Sequence, residues 1–199
     1  MSEHDIPAVQ AGDDCDIAET ATVGEPDGSG EGRTRIGDGA TIRGGTVVYT
    51  DVVIGDRFST GHHALVRGGT TIGDDVLVGS HTVLDGDLDV GSNVSCQTGV
   101  YLPPKTTVGD NVFVGPHAVV TNDPYPVRPT SELDGVTLEA SVSVGANATI
   151  LPGVTVGENT FVAAGAVVAE DIPPDSLAVG TPARHEPLPQ DLRGGNNLP

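Results

Sequence analysis

Val66-Arg67-Gly68-Gly69-Thr70-Thr71-Ile72-Gly73-Asp74-Asp75-Val76-Leu77-Val78-Gly79-Ser80-His81-Thr82-Val83-Leu84 carries an aliphatic residue at every sixth position. The same phase runs backward through Ile54, Val48, Ile42 and Ile36, and forward through Val90, Leu102, Val108, Val114 and Val120. Only Thr60 and Cys96 break it, and both are small enough for an interior. After an interruption the phase returns at Leu138, Val144, Ile150, Val156, Val162 and Val168. Glycine follows many of these positions, as in Ile54-Gly55, Val78-Gly79 and Val144-Gly145. A second small or apolar residue precedes each aliphatic by two, such as Val76, Val94, Ala118 or Ala166.

A period of six fits neither the 3.6-residue helix nor simple strand alternation. It fits one flat side plus one corner, with apolar side chains pointing inward and Gly, Asn or Asp tolerating positive φ at the turn. Stacked units would pair with the coils above and below at about 4.8 Å, so the ladder would propagate as a solenoid.

Composition agrees with a thin, uniform core. Glycine numbers 28 of 199 residues, tryptophan is absent, and Tyr and Phe contribute three each. The 28 acidic residues outnumber nine basic ones, for a net charge of −19 with Lys105 the single lysine. That balance speaks against a basic stripe for nucleic acid or an anionic membrane, and it suits solubility in high salt, a halophilic trait. No apolar run approaches the ~18 residues of a membrane span. Cys15 and Cys96 make no disulfide framework, so the cytoplasm is the expected compartment.

Two breaks organise the chain. Ile17 and Val23-Gly24 lie one residue out of phase, and Glu25–Arg33 reads as the surface loop that absorbs the slip. Residues 121–137 contain Pro124, Pro126 and Pro129, which cannot continue a ladder. They read as a loop expelled from the solenoid, which is a neutral insertion, a cover over a site or an arm toward a neighbouring subunit. The expected organisation is one domain over 1–184 and a flexible Pro-, Gly- and Asn-rich tail over 185–199.

The repeated aliphatic-Gly pattern over roughly 34–184 resembles the hexapeptide-repeat superfamily. The resemblance implies an all-β, single-stranded left-handed parallel β-helix with three hexapeptides per coil, assembled as a homotrimer. General connection rules would favour the opposite hand. With eighteen residues per coil, His63 and His81 fall in one column, and His117 lies two coils beyond His81 with Gly99 between. Asn93 and Asn111 fall in another. Each of these is equally readable as an ordinary solvent-facing corner residue. Together the histidines offer a base, because an imidazole titrates near working pH.

The segments Asn93-Val94-Ser95, Val119-Val120-Thr121-Asn122-Asp123, Ala146-Asn147-Ala148-Thr149-Ile150 and Ala178-Val179-Gly180-Thr181-Pro182-Ala183-Arg184 are similar to nucleotide-sugar N-acetyltransferases. Cys96-Gln97 departs from the aliphatic and tyrosine common in that group. The resemblance implies acetyl-CoA as co-substrate, no metal, and a small polar acceptor, a sugar or nucleotide sugar, held between subunits. His81, then His117, are the candidate bases. Asn93, His63, Asn122 and Asp123 are the candidate acceptor contacts. Gly145, Ala146, Ala163 and Ala164 would form a wall along which CoA approaches the backbone, although small residues also simply fit tight corners. Arg184 would meet a CoA phosphate or act as a structural cap. Two rival readings share the fold. One is a γ-class carbonic-anhydrase-like metalloenzyme using inter-subunit histidines, which the His81–His117 spacing resembles. The other is a non-catalytic structural trimer.

Overall fold

The computed structural model describes residues 9–26, 32–128 and 132–198. Its strands, mostly two or three residues long, form three sheets of eight, ten and eight members. Up to Val167–Val168 the strands pair with the strand three along in the chain, which winds the backbone into a triangular left-handed parallel β-helix. The first face runs from Val9–Ala11 to Thr155–Val156, and the second from Asp16–Ile17 to Ala183–Pro187. The third runs from Thr22–Glu25 to Val167–Val168.

The six-residue phase sets the register. Ile36 pairs with Ile54, Ile54 with Ile72, and Ile72 with Val90, one full coil each. The inward aliphatics form one continuous core, including Ile42, Val78, Leu102 and Ile150, all at 0% exposure. Thr60 is tolerated inside because its hydroxyl accepts from the Arg43 N–H at 2.9 Å and meets Thr46 at 3.2 Å. Cys96 is also buried, and burial pushes its thiol up to about 12.

The corner chemistry corrects one expectation. From Ile36 onward the glycines directly after the in-phase aliphatics do not carry the positive φ. That falls two residues later, at Asp75, His81, Asn93, Asn111 and His117 among others. Asn, Asp and His are the non-glycine residues that tolerate this region best. The phase glycines serve close approach instead. A Cβ on Gly55 would lie 2.7 Å from the backbone carbon of Gly73 in the next coil.

Both breaks are accommodated at the edge between the third and first faces. Ile17 pairs with Ile42, so the first coil is longer by the loop at 25–33, of which 27–31 lie outside the described residues. Val108 pairs with Leu138 across the 121–137 insertion, whose residues 129–131 also lie outside. The insertion is stitched at its base. The Asn122 side-chain amide donates to Pro104 O at 2.9 Å, the Asp134 N–H to Asn122 O at 2.7 Å, and Lys105 Nζ to Leu133 O at 3.0 Å.

The residues expected to form the tail, from 185, lie against the solenoid. Ala183–Pro187 pairs antiparallel with Ser176–Gly180, extending the second face. Leu188 is buried at 2% exposure, a 3-10 helix covers Gln190–Leu192, and Asn196 binds back onto the solenoid. The apolar Leu188 and the satisfied Asn196 amide hold this segment against the second face.

Candidate active site

The three edges of the prism sort the candidate residues. His63, His81 and His117 occupy the edge between the second and third faces. Asn93 and Asn111 occupy the edge between the first and second, and Asn122 and Asp123 begin the insertion at the edge between the third and first. A single chain therefore brings the histidines together but not the full acceptor set.

On the histidine edge, the rings of His63 and His81 stack at 5.3 Å between centroids with planes 10° apart. Each ring leans over the coil before it. A Cβ on Gly45 would lie 2.2 Å from His63 Nδ1, and one on Gly99 would lie 2.4 Å from His117 Nδ1. Gly99 thus makes room for the His117 ring rather than leaving a gap in the column. His81 and His117 sit two coils apart, about 9.6 Å by strand spacing. Face-to-face stacking does not converge the His63 and His81 ring nitrogens on one point, as a shared zinc requires. Among the described residues no three His, Cys, Asp or Glu side chains group to hold a metal.

Below His117 the edge changes character. Its column continues through Asn147 and Gly165, both at positive φ, and Gly165 has open space around it. The insertion hides Asn147 from eighteen-residue counting, because the step from His117 is lengthened; following the register across Val114 and Val144 recovers it. Alongside run Gly145, Ala146, Ala163 and Ala164. Gly145 has a structural duty, since a Cβ there would meet the Ala164 nitrogen at 2.4 Å.

At several corners the amide is capped by a side chain from the following coil. Asp38, Asp56 and Asp74 accept at 2.8–2.9 Å on the asparagine edge, and Ser80 caps the His62 N–H at 3.1 Å. At the equivalent positions Pro116, Ala146 and Ala164 have no side-chain acceptor to offer. The hairpin at 180–183 ends this track. Thr181 Oγ1 donates to Gly165 O at 3.5 Å, and exposed Arg184 pairs with Val179 one residue behind the tip.

The remaining candidates are held differently. The Asn93 amide donates to Asn111 Oδ1 at 2.9 Å, and Asn111 donates to Ser141 Oγ at 3.1 Å. Asn93 also borders a groove of about 200 Å³ with Arg57, Ser59, Asp75, Leu77 and Leu198. Arg57 grips Asp75 with two bonds of 2.6 and 2.7 Å, which holds the Asp75 carboxyl below its ordinary range. Asn122 and Asp123 line an apolar-walled hollow of about 420 Å³ with Tyr101, Pro124, Pro126 and Leu151. The Tyr101 hydroxyl donates to Asp85 at 2.7 Å, and partial burial, ahead of that bond, pushes the phenol up to about 12.

Outside the core, the faces differ. From Val47 onward the outward positions of the third face are Val47, Leu65, Val83, Tyr101, Val119, Thr149 and Val167, all half-buried. Those of the first face include exposed Arg35, Thr71, Asp89 and Thr107.

A prism of eighteen-residue coils with an aliphatic interior defines this chain as a hexapeptide-repeat left-handed β-helix. Residues 135–170 match the family described as bacterial transferase hexapeptide (six repeats). Among curated proteins it is similar to a 2,3,4,5-tetrahydropyridine-2,6-dicarboxylate N-acetyltransferase of Alkaliphilus metalliredigens, 61% identical over 49 residues, 25% of this chain and 21% of that protein. The chain thus spans about a fifth of the length of the curated relatives it matches. Two solved structures share the fold. One is a UDP-N-acetylglucosamine acyltransferase from Bacteroides fragilis, with TM-score 0.60 and 18% identity, over 85% of this chain and 73% of that one. The other is an N-acyltransferase from Bacillus cereus in complex with dTDP and coenzyme A, with TM-score 0.53 and 16% identity, over 92% and 85%.

Proposed function

We propose that the protein transfers an acetyl group from acetyl-CoA to an amine or hydroxyl of a sugar or nucleotide-sugar acceptor. The observation that carries this reading is the single edge along which His117, the Ala146 and Ala164 track and the Arg184 hairpin follow one another. Small side chains let the pantetheine arm approach the backbone. Amides without a side-chain cap suit the thioester oxygen, whose negative charge grows as the acceptor attacks. Arg184 supplies a cation for a CoA phosphate.

In the reaction, His117 takes the proton from the attacking amine or hydroxyl as the new bond to the acetyl carbon forms. The tetrahedral intermediate then collapses, the carbon–sulfur bond breaks, and the CoA sulfur leaves with a proton. His117 is preferred over His81 because it borders the small-residue track, whereas the His81 ring is stacked on His63.

Asn93 is assigned to the acceptor by its likeness to nucleotide-sugar N-acetyltransferases. It occupies a different edge from His117, so the assignment requires Asn93 of a second copy to meet the histidine edge of the first. The apolar third face borders that edge and supports a homotrimer packed through it. The preference for high salt belongs to the same reading through the acidic surface, and a cytoplasmic setting through two cysteines that make no disulfide framework.

Calorimetric titration with acetyl-CoA, followed by turnover of amino sugars, nucleotide sugars and small alcohols, tests it. Micromolar binding with release of free CoA thiol on adding one of these acceptors is expected. A chain that binds no acetyl-CoA at any salt concentration would refute the reading.

A further inference from the structure

The chain beyond Leu188 runs back down the asparagine edge, against the direction of the solenoid. The Leu188 N–H donates to Asp175 O at 2.8 Å, and Arg193 Nε to Leu188 O at 3.1 Å. Gly195, at φ 72°, lies over the Asn111 and Ser141 side chains, where a Cβ would come within 3.6 and 3.7 Å of them. The Asn196 amide then donates to Asn111 O at 2.9 Å and Val142 O at 3.0 Å, and its oxygen accepts from the Ser143 hydroxyl. Leu198 ends in the groove bordered by Asn93, Arg57 and Leu77. The segment therefore spans the rows of Asp175, Ser141, Asn111 and Asn93, several coils of one edge.

Its attachment is narrow. The 3-10 helix buries no residue, and Gly194 and Gly195 in succession leave the backbone free to swing. Among the described residues from Gly194 onward one side chain, Asn196, supplies the hydrogen bonds, and one apolar side chain, Leu198, sits in the groove. Net stabilisation by a few neutral hydrogen bonds is modest, so a competing ligand suffices to displace it.

We infer that residues 188–198 form a reversible autoinhibitory strap, which masks the asparagine edge and competes with the acceptor for the groove at Asn93. The competition with acceptor rests on the assignment of Asn93 above, whereas the masking rests on the strap contacts alone.

The two parts separate in one set of variants. Ser143→Cys places a thiol beneath Asn196 in a Cys15→Ser background, and Cys96 stays unreactive because it is buried. Alkylation by an iodoacetamide dye is timed in the full chain, in a chain lacking 195–199, and with Asn196→Ala. Masking predicts a labelling rate at least five-fold faster in both altered chains, and an unchanged rate overturns the strap. In the chain with native Ser143, competition predicts a KM for a UDP-linked amino sugar at least three-fold lower without 195–199, at unchanged acetyl-CoA affinity. Turnover with unchanged KM overturns the competition. Faster labelling with no acceptor turned over by either chain upholds the mask and refutes the transferase reading instead. If the truncated chain fails to fold, Asn196→Ala carries both measurements.

Discussion

At the residue scale, what Gly99 lacks matters as much as what His117 carries. The imidazole lies over the glycine of the preceding coil, within 2.4 Å of where a Cβ would stand. Gly99→Ala would therefore push the ring off the edge, and its φ of 72° adds strain for any side chain. The expected result is a fold that survives with about 1 kcal/mol lost, and a kcat that falls together with that of His117→Ala. For His117→Ala the fall is on the order of 10²–10⁴ if it is the general base. Steady-state kinetics with acetyl-CoA affinity measured in parallel would check this. A His117→Ala enzyme within a few-fold of wild type, with His81→Ala inactive, would move the base to His81.

The elements give the edges their separate tasks. On the third face the outward residue of successive coils is Val47, Leu65, Val83, Tyr101 and Val119, a stripe with no charged member. On the first face the matching positions carry Arg35, Val53, Thr71 and Asp89, two of them charged. Inside one solenoid the stripe gains nothing from being apolar, and the proposed trimer would bury it between copies. Val83→Asp should then leave the circular dichroism of the β-helix intact while light scattering reports monomers and turnover disappears. Thr71→Asp on the first face should alter neither. A Val83→Asp protein that remains a trimer would place the interface on another face.

For the whole molecule, charge is the dominant long-range term. The net charge of −19 is spread over a narrow prism. Part of it is stacked, because Asp38, Asp56 and Asp74 sit in successive coils of one edge, each capping an amide of the coil before. The caps hold the corners, but they also align like charges at about the 4.8 Å strand spacing. Salt cuts the reach of that repulsion from ~10 Å at 0.1 M to ~3 Å at 1 M. Thermal unfolding should accordingly shift upward by roughly 5–10 °C between 0.1 and 1 M KCl, the equivalent of a few kcal/mol at this chain length. A midpoint that ignores salt would mean the carboxylates are already neutralised by local partners.

Much of this was legible in the residues themselves. A strict period of six, carried by Ile54, Ile72 and Val90, determined the interior, the coil length and the stacking of His63 on His81, because parallel pairing in a solenoid repeats one register step. The small interior residues Thr60 and Cys96 were readable for the same reason. Tertiary structure decided the rest. Which glycines serve φ and which serve close approach depends on the neighbouring coil, as Gly55 and Gly99 show from opposite sides. Asn147 joined the histidine column only once the insertion had been taken out of the count. The docking of Leu188 and Asn196 could not be read from a Pro- and Gly-rich segment without periodicity, since their partners at Asp175, Asn111 and Val142 are brought near by the winding alone. A repeat determines its own stacking locally, whereas a segment outside the repeat takes its place from surfaces that exist only after the solenoid has closed.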